Sequence, residues 1–374
     1  MIPSERRNQI LRELALTGAF STAMFTRRTG LSAMTIRRDL DSLAAQGRLE
    51  RVHGGAIPPA AMPLSARPGA SPPRPVSIGM VVPSAAYYYP RVIAGAQAAA
   101  AELGVRLVLA TSEYSAELER RQLRRMVSAR LDGVIVTPAG AYPDDPETYR
   151  LMATLGIPAV LAERSAPGVQ EEFSGAAISS DHHLGAQLAI RHLTDLGHRR
   201  IALAWRPSPT AGPVRAGFDH AMDALAADGL SFQVRIPPRG SETQLTQRAL
   251  GAFLDRCVAT RMTAVVMLPD DAAVTLIELA HDRGIDVPSQ LSVVAYDDET
   301  ASLAPVPLTA IAPPKADVGY RSVRACHEQL TSDQARAMPR TSLPPALVVR
   351  ESTGPVRAAE RAESHACDSP GSGR

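Results

Sequence analysis

Apolar positions along the chain follow two regimes that change near residue 58. In the first, Ile10, Leu11 and Leu14 share one helical face, and Ile36, Leu40 and Leu43 fall at i, i+4, i+7. Ser4 is placed to cap a first helix and Gly18 to end it. A second short helix is expected after Ser21 as far as Gly30, and Ser32 caps a third from Ala33 to about Gln46. With Ile36, Leu40 and Leu43 facing a small core, Met34 and Arg38 turn outward and Thr35 and Arg37 lie on the flanks. Asp39 reads as structural. The following GRLERVHGGA, Gly47 to Ala56, has the pattern of a β-hairpin with Gly54 and Gly55 at its turn and Arg51 and His53 near a phosphate backbone.

The second regime begins at Val76. Short apolar runs (VSIGMVV, VRLVLA, DGVIVTP, IPAVLA) alternate with amphipathic stretches at Arg91 to Leu103, Ala116 to Ala129 and Pro146 to Leu155. A second series follows: GAAISS, helix 183–196, RIALAW, helices 214–227 and 243–259, TAVVMLP, helix 271–283 and LSVVAYDD. Repeated βα units imply parallel sheets covered by helices on both faces, here in two tandem lobes. Ligands of open α/β sheets sit beyond the carboxyl ends of the strands, so the residues after each run are the candidates. Between the regimes, PPAAMPLSARPGASPPRP breaks every periodicity and reads as an extended linker. The expected division is a small N-terminal domain at 1–58, a linker at 59–75, a two-lobed α/β domain at 76–354 and a polar disordered tail at 355–374.

Charge sharpens this division. The net charge of +2 hides nine Arg against five acidic residues in positions 1–59, for +4, and 31 basic against 33 acidic beyond, for −2. A cationic front end suits phosphate neutralisation. Because Lys315 is the sole lysine among the 40 basic residues, no Arg is singled out merely for being Arg. Aromatics at 4% leave an aliphatic core suited to α/β rather than a β-sandwich. Cys257, Cys326 and Cys367 have no paired spacing, which argues against a disulfide framework or zinc site. MIPSERRNQI carries no apolar run like a signal peptide, and no stretch resembles a membrane span, so a cytoplasmic location is expected.

GLSAMTIRRDLDSLAAQGRLERVHGGA resembles the DNA-binding domain of DeoR-type regulators. That resemblance implies that the helix from Ala33 enters the major groove of double-stranded operator DNA, with Thr22, Ser32, Thr35, Arg37, Arg38, Arg51 and His53 as DNA-contact candidates. From Val76 to about Gly354, the segments IGMVVP, LDGVIVTP, LGHRRIAL, LSVVAYDD, PVPLTAI and LVVRESTG resemble, in order, the effector domain of the LacI/GalR family. The implied fold class is α/β: a small N-terminal winged helix-turn-helix plus a two-lobed type I periplasmic-binding-protein-like domain with parallel sheets. The implied partner is a small effector, a sugar, between the lobes of a homodimeric regulator. Sugar chemistry needs carboxylate acceptors, a forked guanidinium donor and an aromatic cover. The candidates are Ser84, Tyr88, Tyr89, Glu163, Arg164, Arg215, Asp270 and Asp297, with Asp297 foremost; Glu163 and Arg164 also read as a lobe-lobe salt bridge.

The chain departs from the family at Pro269, where an Asn is common, and at Val214, where a ligand-binding Arg usually sits three residues before Gly217; Arg215 is one position off. The family's hinge helix gives way to the Pro-rich linker. These departures keep open a sensor that binds a nucleoside, or one that binds nothing and only dimerises. No phosphate loop, zinc motif or nucleophile elbow sits in a supporting context, so no enzyme, cofactor or metal is expected. Asp181-His182-His183 invites a metal reading, but Asp181 serves equally as a helix cap.

Overall fold

A computed structural model describes residues 6–7, 9–11, 13–14, 20–52, 54–57, 75–142, 145–164, 172–225, 229–238, 240–332 and 338–356. Ser4, Gly18, His53, nearly all of the 59–75 linker and the tail beyond residue 356 lie outside them. The chain divides into two compact units, Met1–Ser180 with Pro314–Leu343, and Asp181–Pro313 with Pro344–Arg374.

The expected DNA reader carries β1 (Phe20–Ser21), α1 (Thr22–Thr29), α2 (Ala33–Ala45), β2 (Glu50–Val52) and β3 (Gly55–Ile57). Ser21 caps α1 through the Met24 amide, and Gly30, at φ +69°, closes it in the left-handed conformation. Ser32 caps α2 by accepting from the Thr35 amide. Ile36, Leu40 and Leu43 are buried with Ile10, Leu14, Phe20 and Phe25, while Met34 stays 62% exposed. The expected hairpin forms with Gly54 at φ +81°. It also gains a third strand, because β1 pairs with β3. A Cβ on Gly55 would lie 1.7 Å from the Phe20 carbonyl oxygen, so this backbone approach requires glycine.

In the first unit β4 (Ser77–Val82), β5 (Arg106–Thr111), β6 (Gly133–Val136), β7 (Ala159–Ala162), β8 (Ala176–Ser180) and β14 (Arg340–Leu343) form one sheet, ordered β14-β8-β7-β6-β4-β5 and parallel throughout. Its helices are α3 (Tyr89–Leu103), α4 (Ala116–Ser128), α5 (Pro146–Ala153) and α10 (Lys315–Thr331). Strands such as β4 and β6 are buried at every position, as a doubly covered parallel sheet demands. Helices α3 and α10 approach almost backbone to backbone: a Cβ on Gly95 would lie 1.9 Å from the Ala316 carbonyl oxygen.

The second unit holds α6 (His182–Asp195), β9 (Arg200–Trp205), α7 (Ala211–Asp223), β10 (Leu230–Arg235), α8 (Thr243–Ala259), β11 (Ala264–Leu268), α9 (Asp270–Asp282), β12 (Ser292–Tyr296), β13 (Thr309–Ala312) and β15 (Ala346–Val348). Its sheet runs β10-β9-β11-β12-β13-β15 and is parallel except for the β13–β15 pair. Asp181 caps α6 by accepting from the Leu184 amide at 2.9 Å. Among the described residues no helix is long and apolar enough to cross a membrane.

Candidate functional site

On the reader, the buried face of α2 fixes what its other face offers. Arg37 and Arg38 are exposed, and Thr35, half-buried, shares its hydroxyl with Ser32 at 2.9 Å. Asp39 is buried against the Arg6 guanidinium, with Arg7 Nε 3.7 Å from its other oxygen, so it ties the first helical residues to α2. Arg51 is held on α2 by the Asp41 carboxylate and by the Arg37 carbonyl at 3.2 Å. Thr22 is buried, and its amide donates to the Gly54 carbonyl at 2.8 Å, locking the start of α1 to the hairpin turn. The exposed candidates on this face are therefore Ser32, Arg37 and Arg38, with Thr35 half-buried beside Ser32 and Arg51 steadying the wing against the helix.

In the first unit the candidates converge after β4 and β7. Glu163 sits directly after β7 at φ +56°. Its Oε1 accepts from the Tyr88 hydroxyl at 2.8 Å and the Ser180 hydroxyl at 2.9 Å, and its Oε2 from the Ser180 amide at 3.1 Å. Arg164 spreads its fork over the Pro138 carbonyl (3.0 Å), the Glu163 carbonyl (2.7 Å) and the Tyr89 hydroxyl (3.4 Å). Lys315 Nζ lies 5.0 Å from the Tyr88 ring centroid, a cation–π contact made by the chain's sole lysine. Ser84 accepts from the Ala86 amide at 3.1 Å. The structure thus joins Tyr88, Tyr89, Glu163 and Arg164 in one buried polar group, and adds Ser180 and Lys315, which strand periodicity does not mark.

In the second unit Asp297 follows β12 at φ +102° and is buried; Asp298, next to it at φ +54°, pairs with Arg350 at 2.8 Å. Asp270 Oδ2 accepts from the amides of Glu299, Thr300 and Ala301 at 2.7, 2.7 and 3.2 Å, so it also organises the loop after β12. Val214 is fully buried in the α6–α7 core, which turns Arg215 outward onto the Trp205 ring at 4.5 Å and onto Gln233 at 2.8 Å. Arg206, directly after β9, instead holds both Asp271 oxygens at 2.9 and 3.0 Å.

Among the described residues eight non-glycine residues have positive φ, and six of them (Tyr87, Glu113, Tyr114, Glu163, Asp297, Asp298) follow the carboxyl ends of β4, β5, β7 and β12. Such backbone strain concentrates at ligand-binding ends of folds.

A DeoR-like helix-turn-helix domain model matches residues 6–60, and a periplasmic binding protein-like domain model matches residues 190–353. The chain is 28% identical over 338 residues to the arabinose metabolism transcriptional repressor of Geobacillus stearothermophilus, spanning 86% of this chain and 88% of that one. It is 30% identical over 259 residues to the HTH-type transcriptional regulator MalR of Streptomyces coelicolor, spanning 66% and 71%. The chain belongs to the LacI family of transcriptional regulators.

The regulator's fold is also that of the lac repressor dimer bound to operator and the anti-inducer ONPF, with TM-score 0.64 and 22% identity over 75% of this chain and 95% of that one. A LacI family regulator from Enterococcus faecium with bound ribose gives TM-score 0.59 and 22% identity, covering 75% and 100%. The DeoR-type reader in front of a LacI-type sensor is thus seen in the family matches as well as in the motifs. The regulator's relatives named here are transcriptional regulators, which are not enzymes.

Proposed function

We propose that this regulator is a cytoplasmic, homodimeric repressor of a carbohydrate operon whose affinity for a palindromic operator is set by a sugar bound at the strand ends of its sensor. The observation that carries the reading is the grouping of aromatic, carboxylate and guanidinium side chains at those ends, with backbone strain concentrated in the same loops. Tyr88 or Tyr89 supplies the apolar cover, Glu163 and Asp297 the hydroxyl acceptors and Arg164 the forked donor. The arabinose repressor of G. stearothermophilus makes a pentose the first sugar to try. On DNA, Thr35, Arg37 and Arg38 read the major groove and the capping serine Ser32 meets a phosphate.

A thermal-shift series with arabinose, ribose and glucose, followed by titration of DNA from the regulator's own promoter, tests this. A sugar that raises the melting temperature and changes operator affinity supports it, because a ligand bound only by the folded state stabilises that state. Intact DNA binding with no stabilising sugar sinks the effector half and favours a ligand-blind dimerisation domain. Val214 in the core and Asp270 engaged by three backbone amides are the observations behind that second reading.

A further inference from the structure

The loop after β6 is gripped at three successive residues by buried side chains from three different elements. Arg164 Nε donates to the Pro138 carbonyl at 3.0 Å. The Ala139 amide donates to Glu119 Oε2 on α4 at 2.7 Å. The Tyr149 hydroxyl on α5 donates to the Gly140 carbonyl at 3.3 Å. Glu119 is fully buried, one helical turn before Leu123 of the aliphatic core, and its other oxygen, Oε1, has no hydrogen-bond partner in the structure.

An acid in that setting responds to every charge around it. The groups facing Glu119 are Arg164 from the loop after β7, and the Thr148 hydroxyl, Tyr149 and Asp145 from α5 and its cap; Asp145 is itself paired with Arg120 of α4 at 2.8 Å. Burial pushes the Glu119 carboxyl up to about 7, against the pull of the Ala139 hydrogen bond, of the Thr148 hydroxyl and, after them, of Arg164. Burial likewise pushes the Tyr149 hydroxyl up to about 12, so it remains a donor while Glu119 changes charge. Loop and guanidinium therefore share one neighbour whose charge turns over near neutrality.

We propose that Glu119 is a positioning residue for Arg164. Neutral, it holds Ala139 and leaves the guanidinium on the Pro138 and Glu163 carbonyls and the Tyr89 hydroxyl. Ionised, it attracts the guanidinium toward α4 through a low-dielectric interior and weakens its hold on those oxygens. What Arg164 then does to an effector rests on the reading above; its coupling to Glu119 does not.

The test needs no ligand. The side-chain Nε–H resonance of Arg164 in the full-length protein, assigned by its loss in Arg164→Lys, is followed by NMR across the neutral pH range. The expected result is a single titration with midpoint near 7 in the native protein. In Glu119→Gln, which keeps an acceptor for Ala139 and cannot ionise, the resonance is expected to stay still. A native resonance indifferent to pH overturns the proposal without recourse to any variant, and so does a titration that persists in Glu119→Gln. A clear titration in a protein that binds no sugar upholds the coupling and counts against the effector reading alone.

Discussion

At the scale of single residues, two buried polar groups set stability in opposite ways. Asp39 balances Arg6 inside the small reader core, so Asp39→Ala leaves a guanidinium buried without its partner. Breaking such a pair costs about 3–5 kcal/mol, a large share of what a small module has. The expected outcome is loss of operator binding in a mobility-shift assay, with the sensor's own melting transition unchanged. His198 lies in the second unit, where its ring nitrogens contact Thr263 at 2.8 Å, Ser292 at 3.0 Å and the Gly354 carbonyl at 3.0 Å, fastening the segment after β15 to the sheet. Burial pushes its pKa down to about 4 from an ordinary 6.5. The unfolded chain therefore binds the proton first as pH falls, so the stabilisation is whole above 6.5 and disappears progressively down to 4. The window corresponds to roughly 3 kcal/mol. Urea midpoints measured across it should fall with pH in the native protein and show a shallower slope in His198→Gln. An equal slope in both would remove His198 as the cause.

At the scale of elements, legibility follows how completely an element is surrounded. Helix α2 was readable to within a residue because its cap, its i, i+4, i+7 apolar face and its outward Met34 and Arg38 are all local features. Strands β4, β6, β11 and β12, covered on both faces, announce themselves as unbroken apolar runs. Three edge strands do not: β10 (LSFQVR) is half-buried at best, and β14 and β15 pair on one side only, so none of the three yields a run that periodicity picks out, whereas the fourth edge strand, β5, does. Two-residue β1 carries no pattern at all; only Gly55, with its need for bare backbone beside Phe20, hints at it. The site was legible as positions after strands but not as partnerships. Nothing local says that Arg215 lies on Trp205, or that Asp270 holds the backbone of the loop after β12; long-range packing decides both. Glu119 did carry a local signal, an acid in register with Leu123 on the apolar face of α4. The glycine approach of α3 and α10 gives a prediction at this scale. A methyl at Gly95 meets the Ala316 carbonyl at 1.9 Å, and backbone on both sides leaves no flexible side chain to yield. Gly95→Ala should destabilise the first unit by about 1–3 kcal/mol through overpacking, despite alanine's better helix propensity. A melting temperature equal to or above native would show that the helices slide apart freely.

At the scale of the whole molecule, neither compact unit is a continuous stretch of chain. The first ends at Ser180 and is completed only by Pro314–Leu343, which supplies α10 against α3 and β14 alongside β8. The second is completed by the residues after Pro344, where β15 pairs with β13 and the Ser352 hydroxyl accepts the Thr309 amide at 2.8 Å and donates to the Val293 carbonyl at 2.5 Å. The matched stretch 190–353 begins inside α6 and takes in α10 and β14 without the sheet they complete, so a sequence match of that extent is not a folding unit. Cooperative folding of both units therefore depends on the chain after Pro313, although Lys315 alone of the residues grouped after β4 and β7 lies in it. A chain ending at Pro313 exposes the apolar faces of β7, β8 and α3 in one unit and strips the edge from β13 in the other. Losing that much buried apolar surface exceeds the net stability of an ordinary domain. Calorimetry should find no cooperative transition from either unit in this truncation, whereas a chain starting at Pro75, which removes the reader and keeps the returning segments of both units, should melt cooperatively without binding operator DNA. A sharp transition from the Pro313 truncation would mean that one unit closes its core without the returning chain, and would move the folding boundary of the sensor to within a single contiguous segment.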